Sequence, residues 1–181
     1  MELQNKERYP DELSAGESAA ENRTQNECRL QNECRLQNEC RITFPSLSAN
    51  EGYARACAAA FCAQLDPTAT EISDVKCAVS EAVTNAIVHG YRDTVGEIVM
   101  TLRQLPDRVV KIEIRDRGCG IADVTQARVP LYTTDPAGER SGMGFTVMES
   151  FMDTLRVLST PGKGTKVTMT KKFAYIPRNR R

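Results

Sequence analysis

Two runs of alternating apolar and polar residues, separated by a short turn, constrain the fold of this 181-residue chain most. The apolar residues are Ile98, Met100 and Leu102 in the first run and Val110, Ile112 and Ile114 in the second. Because successive side chains of a strand point to opposite faces, each run predicts a strand with one apolar and one wet face. With the turn at 105–108, the runs predict an antiparallel hairpin whose apolar face needs a covering layer.

Two helical patterns upstream of the hairpin supply that layer. The first begins near Ser48 and ends before Pro67, which cannot continue a helix. The second begins at 68–71, where threonine and glutamate have the spacing of a capping box. Its apolar residues recur at intervals of three and four until Gly90, so we expect a helix of about 20 residues.

The remaining elements complete an α+β pattern. We expect a first strand near 41–44, a short helix from about Gly142 to Met152, and a final hairpin around 161–164. Residues 117–141 show no period and are long enough to suggest a functional lid. The order of elements predicts a two-layer α/β sandwich, with a mixed, mostly antiparallel sheet and helices on one face.

A six-residue repeat occupies residues 25–42, reading Gln-Asn-Glu-Cys-Arg-Leu twice and then ending in isoleucine. Its cysteines could share a face only in a strand, because six residues advance a helix by about 600°. Three copies bury too little to form a β-helix, and the preceding segment is polar. We therefore expect a flexible extension over 1–40, one domain over 41–175 and a basic tail over 176–181.

Composition excludes several classes of function. Lys and Arg number 24 against 24 Asp and Glu, so overall charge favours neither nucleic acid nor membrane as a partner. No apolar run reaches 18 residues and no signal peptide is recognisable, which predicts a cytoplasmic protein.

The seven cysteines predict reduced thiols. Their number is odd, no C-x-x-C pair occurs and His89 is the only histidine, so a disulfide framework or a cysteine zinc site is disfavoured. Cys57, Cys62 and Cys77 lie in the helical patterns, where we expect them to pack as small apolar residues.

Glu81, Asn85 and His89 follow one another at intervals of four, on one face of the second predicted helix. A solvated helix face explains this pattern as well as a functional site does. In the functional interpretation, Asn85 contributes an oxygen to Mg²⁺ and Glu81 orients or deprotonates a nucleophile.

Two glycine motifs follow along the chain. Asp116 ends a predicted strand before Gly118 and Gly120, a pattern that an ordinary turn also produces. Gly142 and Gly144 precede the short helix, whose N-terminal amides suit phosphate, although a flexible joint would look the same. No Walker A sequence is present. The case for a nucleotide pocket rests on all three motifs occurring together and in this order.

Together the segments 81–90, 116–120 and 142–144 resemble the N box and the two glycine boxes of the GHKL ATPase superfamily. Within it, segments 80–91, 130–134 and 139–145 resemble the kinase-type anti-sigma factors of endospore-forming bacteria. The resemblance covers about residues 42–172, so nothing carries over to residues 1–40. It implies the Bergerat ATP-binding fold and a homodimer.

The resemblance also implies roles for individual residues. Asn85 would bind Mg²⁺, Glu81 would be the catalytic carboxylate, and Asp116 would accept a hydrogen bond from the adenine amino group. Thr165 would assist at the base, and Arg140 would contact phosphate. Four glycines would shape the pocket and its lid: Gly118, Gly120, Gly142 and Gly144.

The implied function is that of an anti-sigma factor and ATP-dependent protein serine kinase. It would bind ATP or ADP with Mg²⁺, sequester a sporulation sigma factor of the sigma F type, and phosphorylate the anti-anti-sigma factor on serine. Arg55 on the first helix would lie on the surface that meets both partners.

Two other functions stay open as alternatives. One is a non-catalytic nucleotide-binding module that inhibits a sigma factor, which the Glu81 carboxylate disfavours. The other is the ATP-binding domain of a histidine kinase, which is disfavoured because His89 is the only histidine and lies inside the pocket motif.

Overall fold

A computed structural model describes residues 36–129 and 143–175, and these form an α+β sandwich. Its sheet has five strands in the order β1-β2-β3-β5-β4, and all four neighbouring pairs are antiparallel. The strands are β1 Asn38–Pro45, β2 Glu97–Leu105, β3 Val109–Arg115, β4 Thr154–Thr160 and β5 Gly164–Lys172. The predicted fold class is confirmed, and the described part of the sheet is antiparallel throughout rather than mixed.

The helices are α1 Ala49–Ala63, α2 Ala69–Asn85, α3 Val124–Ala127 and α4 Gly144–Phe151. The capping box that begins α2 is present: the Thr68 hydroxyl accepts a hydrogen bond from the Glu71 amide (3.1 Å), and the Glu71 carboxylate accepts one from the Thr68 amide (2.7 Å). The helical run ends at Tyr91, one residue past the predicted Gly90, but its last turn is not α-helical. It continues from α2 as a π-helical turn, Ala86–Tyr91.

The core lies between the sheet and the helices. All six alternating residues of the β2–β3 hairpin are buried, as their pattern predicts. They pack in one cluster with the apolar stripe of α2, which comprises Val75, Ala78, Val79, Ala82 and Val83. The opposite face of the sheet is charged: Arg103 lies between Glu39 of β1 and Glu113 of β3 and pairs with both. This face is therefore the wet side of the layer.

The first strand begins three residues earlier than the predicted 41–44 segment, at Asn38. Two side-chain contacts hold the added residues: the Asn38 carboxamide donates to Gln64 (3.0 Å), and Glu39 accepts from the Arg103 guanidinium (2.5 Å). The last copy of the hexapeptide repeat thus enters the sheet. Residues 1–35 of the predicted extension, residues 130–142 with the end of the predicted lid, and the tail 176–181 lie outside the described residues.

The prediction that all three helical cysteines pack as apolar residues is wrong for one of them. Cys62 is fully buried and Cys57 partly buried, but Cys77 is exposed. Cys77 lies on the outward face of α2, between Val75 and Ala78, both of which point into the core. The cysteines within the described residues are all free thiols.

Candidate functional site

A cavity of about 680 Å³ opens between α2, the π-helical turn, the ends of β3 and β5, and the start of α4. Such a volume is in the range of small-molecule sites. Residues of all three sequence motifs line it, and the predicted site residues among them are Glu81, Asn85, Asp116, Gly120, Gly144 and Thr165. The fold therefore brings together residues that are up to 84 positions apart in the sequence, from Glu81 to Thr165.

The polar pair on α2 lies against the first residue of α4. A Cβ atom on Gly144 would lie 3.0 Å from the Glu81 Oε2 atom and 3.3 Å from the Asn85 Nδ2 atom. Glycine at this position therefore lets the start of α4 approach both side chains closely. Within the described part of the chain, no hydrogen bond occupies the Asn85 carboxamide, so its oxygen is available to a ligand.

Asp116 follows β3 and is 5% exposed. Its Oδ1 atom accepts hydrogen bonds from the Gly118 amide (2.9 Å) and the Thr165 amide (3.2 Å), which leaves Oδ2 for a ligand in the cavity. Burial raises the pKa of this carboxyl, and the two amide donors partly offset that effect. The result is an oriented hydrogen-bond acceptor in a largely dry position.

The π-helical turn joins the helix motif to the first glycine motif. The Gly90 carbonyl accepts a hydrogen bond from the Cys119 amide (2.8 Å), and the His89 carbonyl accepts one from the Cys119 thiol (3.0 Å). A Cβ atom on Gly118 would lie 2.2 Å from the Gly90 oxygen, a distance that no side chain can occupy. The two backbones touch here only because position 118 is glycine.

The turn between β4 and β5 supports the same loop from the other side. The Ser159 hydroxyl accepts a hydrogen bond from the Ile121 amide (2.8 Å) and lies 2.9 Å from the Thr165 hydroxyl. Gly120 adopts a φ of 71° and packs against the Thr160 carbonyl, so its conformation and its contact both favour glycine. Thr165 is thus both a backbone partner of Asp116 and part of the cavity wall.

Three predicted site residues remain, and the structure describes one of them. Arg140 and Gly142 lie outside the described residues. Arg55 lies on α1, does not line the cavity, and forms an ion pair with Glu51 at 3.6 Å. Its side chain is 43% exposed, and its role at a partner interface stays a prediction.

Sequence reasoning missed several residues of the cavity wall. Arg92 follows the π-helical turn, Asp123 caps α3 by accepting a hydrogen bond from the Gln126 amide (3.0 Å), and Phe145 follows Gly144 on α4. Aspartate three residues before a glutamine gave a local signal for the α3 cap. No pattern marked Arg92, because it reaches the cavity only through the unpredicted π-helical turn.

Comparison with known proteins shows the class of protein to which this chain belongs. Residues 44–171 match the family described as "Histidine kinase-like ATPase domain", a nucleotide-binding fold. Curated relatives include an anti-sigma F factor of Clostridium acetobutylicum, 55% identical over 135 residues, and one of Caldanaerobacter subterraneus subsp. tengcongensis, 56% identical over 140 residues. These matches cover 75% and 77% of this chain and 94% of each relative. The chain belongs to the anti-sigma F factor family within the histidine kinase-like ATPase domains.

A solved structure supports the fold independently. The crystal structure of the RsbU and RsbW domains of a Mycobacterium tuberculosis protein superimposes with a TM-score of 0.56 at 23% sequence identity. The match covers 76% of this chain and 32% of that one. Among the described residues, no helix has the length and apolar character needed to cross a bilayer.

Proposed function

We propose that this protein is an anti-sigma factor that is also an ATP-dependent protein serine kinase. It sequesters a sporulation sigma factor of the sigma F type and phosphorylates the anti-anti-sigma factor that opposes this inhibition. The observation that carries the proposal is the position of Glu81 in the cavity, one helical turn from Asn85 and directly beside the start of α4. Membership of the anti-sigma F factor family supports it.

The nucleotide is held at both ends of the cavity. At one end, Asp116 Oδ2 accepts a hydrogen bond from the adenine amino group, while Thr165 lies next to the base. At the other end, the amides at the start of α4 face the phosphates. Gly142 and Arg140 would contact the same phosphates. Mg²⁺ fits beside Asn85, since it prefers oxygen ligands and keeps much of its water, and it would neutralise phosphate charge.

Glu81 performs the chemical role. Its carboxylate accepts the hydroxyl proton of the acceptor serine, or orients that hydroxyl, as the serine oxygen attacks the γ-phosphorus and the bond from that phosphorus to the departing ADP oxygen breaks. Gly144 allows the phosphate end of the nucleotide to lie beside this carboxylate, because it has no side chain between α4 and α2. A protein that only bound nucleotide would not need a carboxylate at this position.

The partner proteins bind to the surface of α1. Arg55 projects from it with a half-exposed side chain, and the neighbouring Tyr53 is 53% exposed. Arginine and tyrosine are frequent hot-spot residues of protein interfaces. Both partners use this surface and therefore compete for it. Phosphorylation of the acceptor serine adds charge to that complex and releases the protein to rebind sigma factor. The functional unit is a homodimer in the cytoplasm.

Phosphotransfer separates the kinase from a purely binding function. The full chain is incubated with radiolabelled ATP, Mg²⁺ and the anti-anti-sigma protein of the same organism, and serine phosphorylation is measured. Glu81→Gln should lose at least a hundredfold in rate, the usual scale for a general base, while sigma-factor binding persists. Glu97→Gln, an exposed glutamate on β2, is the matched control. If the wild type binds ATP and sigma factor but transfers no phosphate, the protein is instead a non-catalytic nucleotide-binding sigma inhibitor.

The shared surface has its own test. Arg55→Glu should weaken the complexes with both partners in titrations with ADP or ATP present, while nucleotide affinity is unchanged. Lys76→Glu, an equal charge reversal at an exposed position of α2, should affect neither complex. Normal binding of either partner by Arg55→Glu would show that the two proteins do not share this helix.

A further inference from the structure

Arg92 has an unusual backbone conformation at the edge of the cavity. It follows the π-helical turn with φ 51° and ψ −111°, a region that non-glycine residues avoid. Within 36–129 and 143–175, the other non-glycine residues with positive φ are Asp66, Asp107 and Arg108, and none of them lines the cavity. Arg92 is thus the one strained non-glycine residue in the described cavity wall.

The neighbouring Tyr91 holds this conformation in place. Its carbonyl accepts hydrogen bonds from the Thr94 amide (2.9 Å) and the Thr94 hydroxyl (2.7 Å). Its phenol donates to the Glu97 carbonyl and accepts from the Arg117 amide (2.9 Å). Four hydrogen bonds therefore fix the residue before Arg92, two within the local turn and two to the Glu97 carbonyl and the Arg117 amide. Strain that is maintained in this way is characteristic of residues positioned for a function.

The charges around the cavity indicate what Arg92 binds. The described wall contains three acidic residues, Glu81, Asp116 and Asp123, and Arg92 is its only lysine or arginine. Arg92 is exposed, and within the described part of the chain no carboxylate forms an ion pair with it. A polyphosphate entering a wall with this excess of negative charge is repelled unless cations compensate. A guanidinium suits the task, since its donors match phosphate oxygens.

We infer that Arg92 is a phosphate-binding residue of the nucleotide site, its guanidinium contacting the phosphate chain of the bound nucleotide. The inference rests on the nucleotide site of the proposed function, but not on kinase activity or on any protein partner. It adds Arg92, which follows the π-helical turn, to the phosphate contact proposed for Arg140.

Isothermal titration calorimetry of the full chain with adenosine, AMP, ADP and ATP tests this inference. Arg92→Ala should bind adenosine within twofold of wild type and ADP or ATP at least tenfold more weakly. AMP, ADP and ATP add one phosphate at a time to adenosine. The shortest of them that Arg92→Ala binds more weakly than wild type does therefore identifies the phosphate that Arg92 contacts. Arg156→Ala, an exposed arginine on β4 that does not line the cavity, is the matched control and should bind all four ligands normally.

A second variant separates the charge from the backbone strain. Arg92→Gly relieves the strained φ but also removes the guanidinium, so it should lose as much ADP affinity as Arg92→Ala. Normal ADP binding by Arg92→Gly would show that the backbone conformation matters and the cation does not. An equal loss for adenosine and ADP, or no loss, would also overturn the assignment. If the wild-type protein binds none of the ligands, both the nucleotide site and this inference fail. If it binds them and the Arg92 variants bind equally well, the nucleotide site stands and only the role of Arg92 is refuted.

Discussion

Replacing Gly118 with alanine should separate the two segments that build the centre of the site. The added Cβ would lie 2.2 Å from the Gly90 oxygen and 2.4 Å from its carbonyl carbon, and both are backbone atoms. Ordinary carbon–oxygen contacts are about 3.3 Å, so the two backbones must move apart by roughly 1 Å. Such a shift also breaks the 2.8 Å hydrogen bond from the Cys119 amide to the Gly90 carbonyl.

The energetic cost follows from these two effects. Overpacking of this kind costs about 1–3 kcal/mol, and the lost hydrogen bond adds about 1 kcal/mol. We therefore expect Gly118→Ala to lower the free energy of unfolding by about 3 kcal/mol, or the melting temperature by roughly 10 °C for a domain of this size. Urea unfolding followed by circular dichroism measures the first quantity, and a thermal scan the second.

Gly52→Ala is the matched control, because position 52 is inside α1 and a Cβ there meets only the flexible end of Arg55, at 4.0 Å. The same substitution should stabilise the protein there by about 0.5–1 kcal/mol, through helix propensity alone. The reasoning is refuted if Gly118→Ala unfolds within 0.5 kcal/mol of wild type, roughly the range of ordinary surface changes. In that case the close contact between the two motifs does not exist in solution.

Three further predictions concern charges and thiols. The pKa of Asp116 is raised in the folded state, so the stability that its protonated form contributes is full below the unfolded-state pKa and is lost as pH rises through the folded-state pKa. Asp116→Asn should therefore gain stability relative to wild type between acid and neutral pH, as measured by urea titrations. A stability difference that does not change with pH would contradict this. The Lys171 ammonium donates a hydrogen bond to the Asp74 carboxylate at 2.9 Å, and the lysine side chain is 12% exposed. Lys171→Met should therefore lower the free energy of unfolding by about 1–3 kcal/mol in the same assay. The double variant Lys171→Met with Asp74→Asn should lose less, because it leaves no unpaired carboxylate. Burial raises the pKa of Cys62 to about 12, so Cys77 should be alkylated well before it at pH 8, as read by mass spectrometry; equal rates would argue against this core.

The secondary structure and the layer order could be predicted largely from local patterns. The alternating residues of β2 and β3 all turned out to be buried, and the capping box of α2 formed as its spacing required. These features depend on periodicity and on hydrogen bonds between near neighbours, both of which the sequence displays directly. Cys77 shows the limit of this reasoning, because an apolar neighbourhood in sequence does not say which side of a helix a residue occupies.

The motifs of the candidate site could be predicted from the sequence, but the contacts between them could not. Gly118 and Gly144 are turn or joint glycines in the sequence, and only the packed chain shows that one touches the Gly90 carbonyl and the other lies beside Glu81. The roles assigned to these residues stay predictions. So do those of Arg140 and Gly142, which lie outside the described residues.

By itself, the sequence determined most of the strands and helices, the apolar face of the sheet and the family, because each depends on residue type at short spacing. Only the tertiary structure decided how α2 ends. Its last turn is π-helical, and the Gly90 carbonyl within it accepts a hydrogen bond from the Cys119 amide, from a loop almost 30 residues away that no local propensity encodes. The same turn leads into Arg92, which lines the cavity together with three acidic residues.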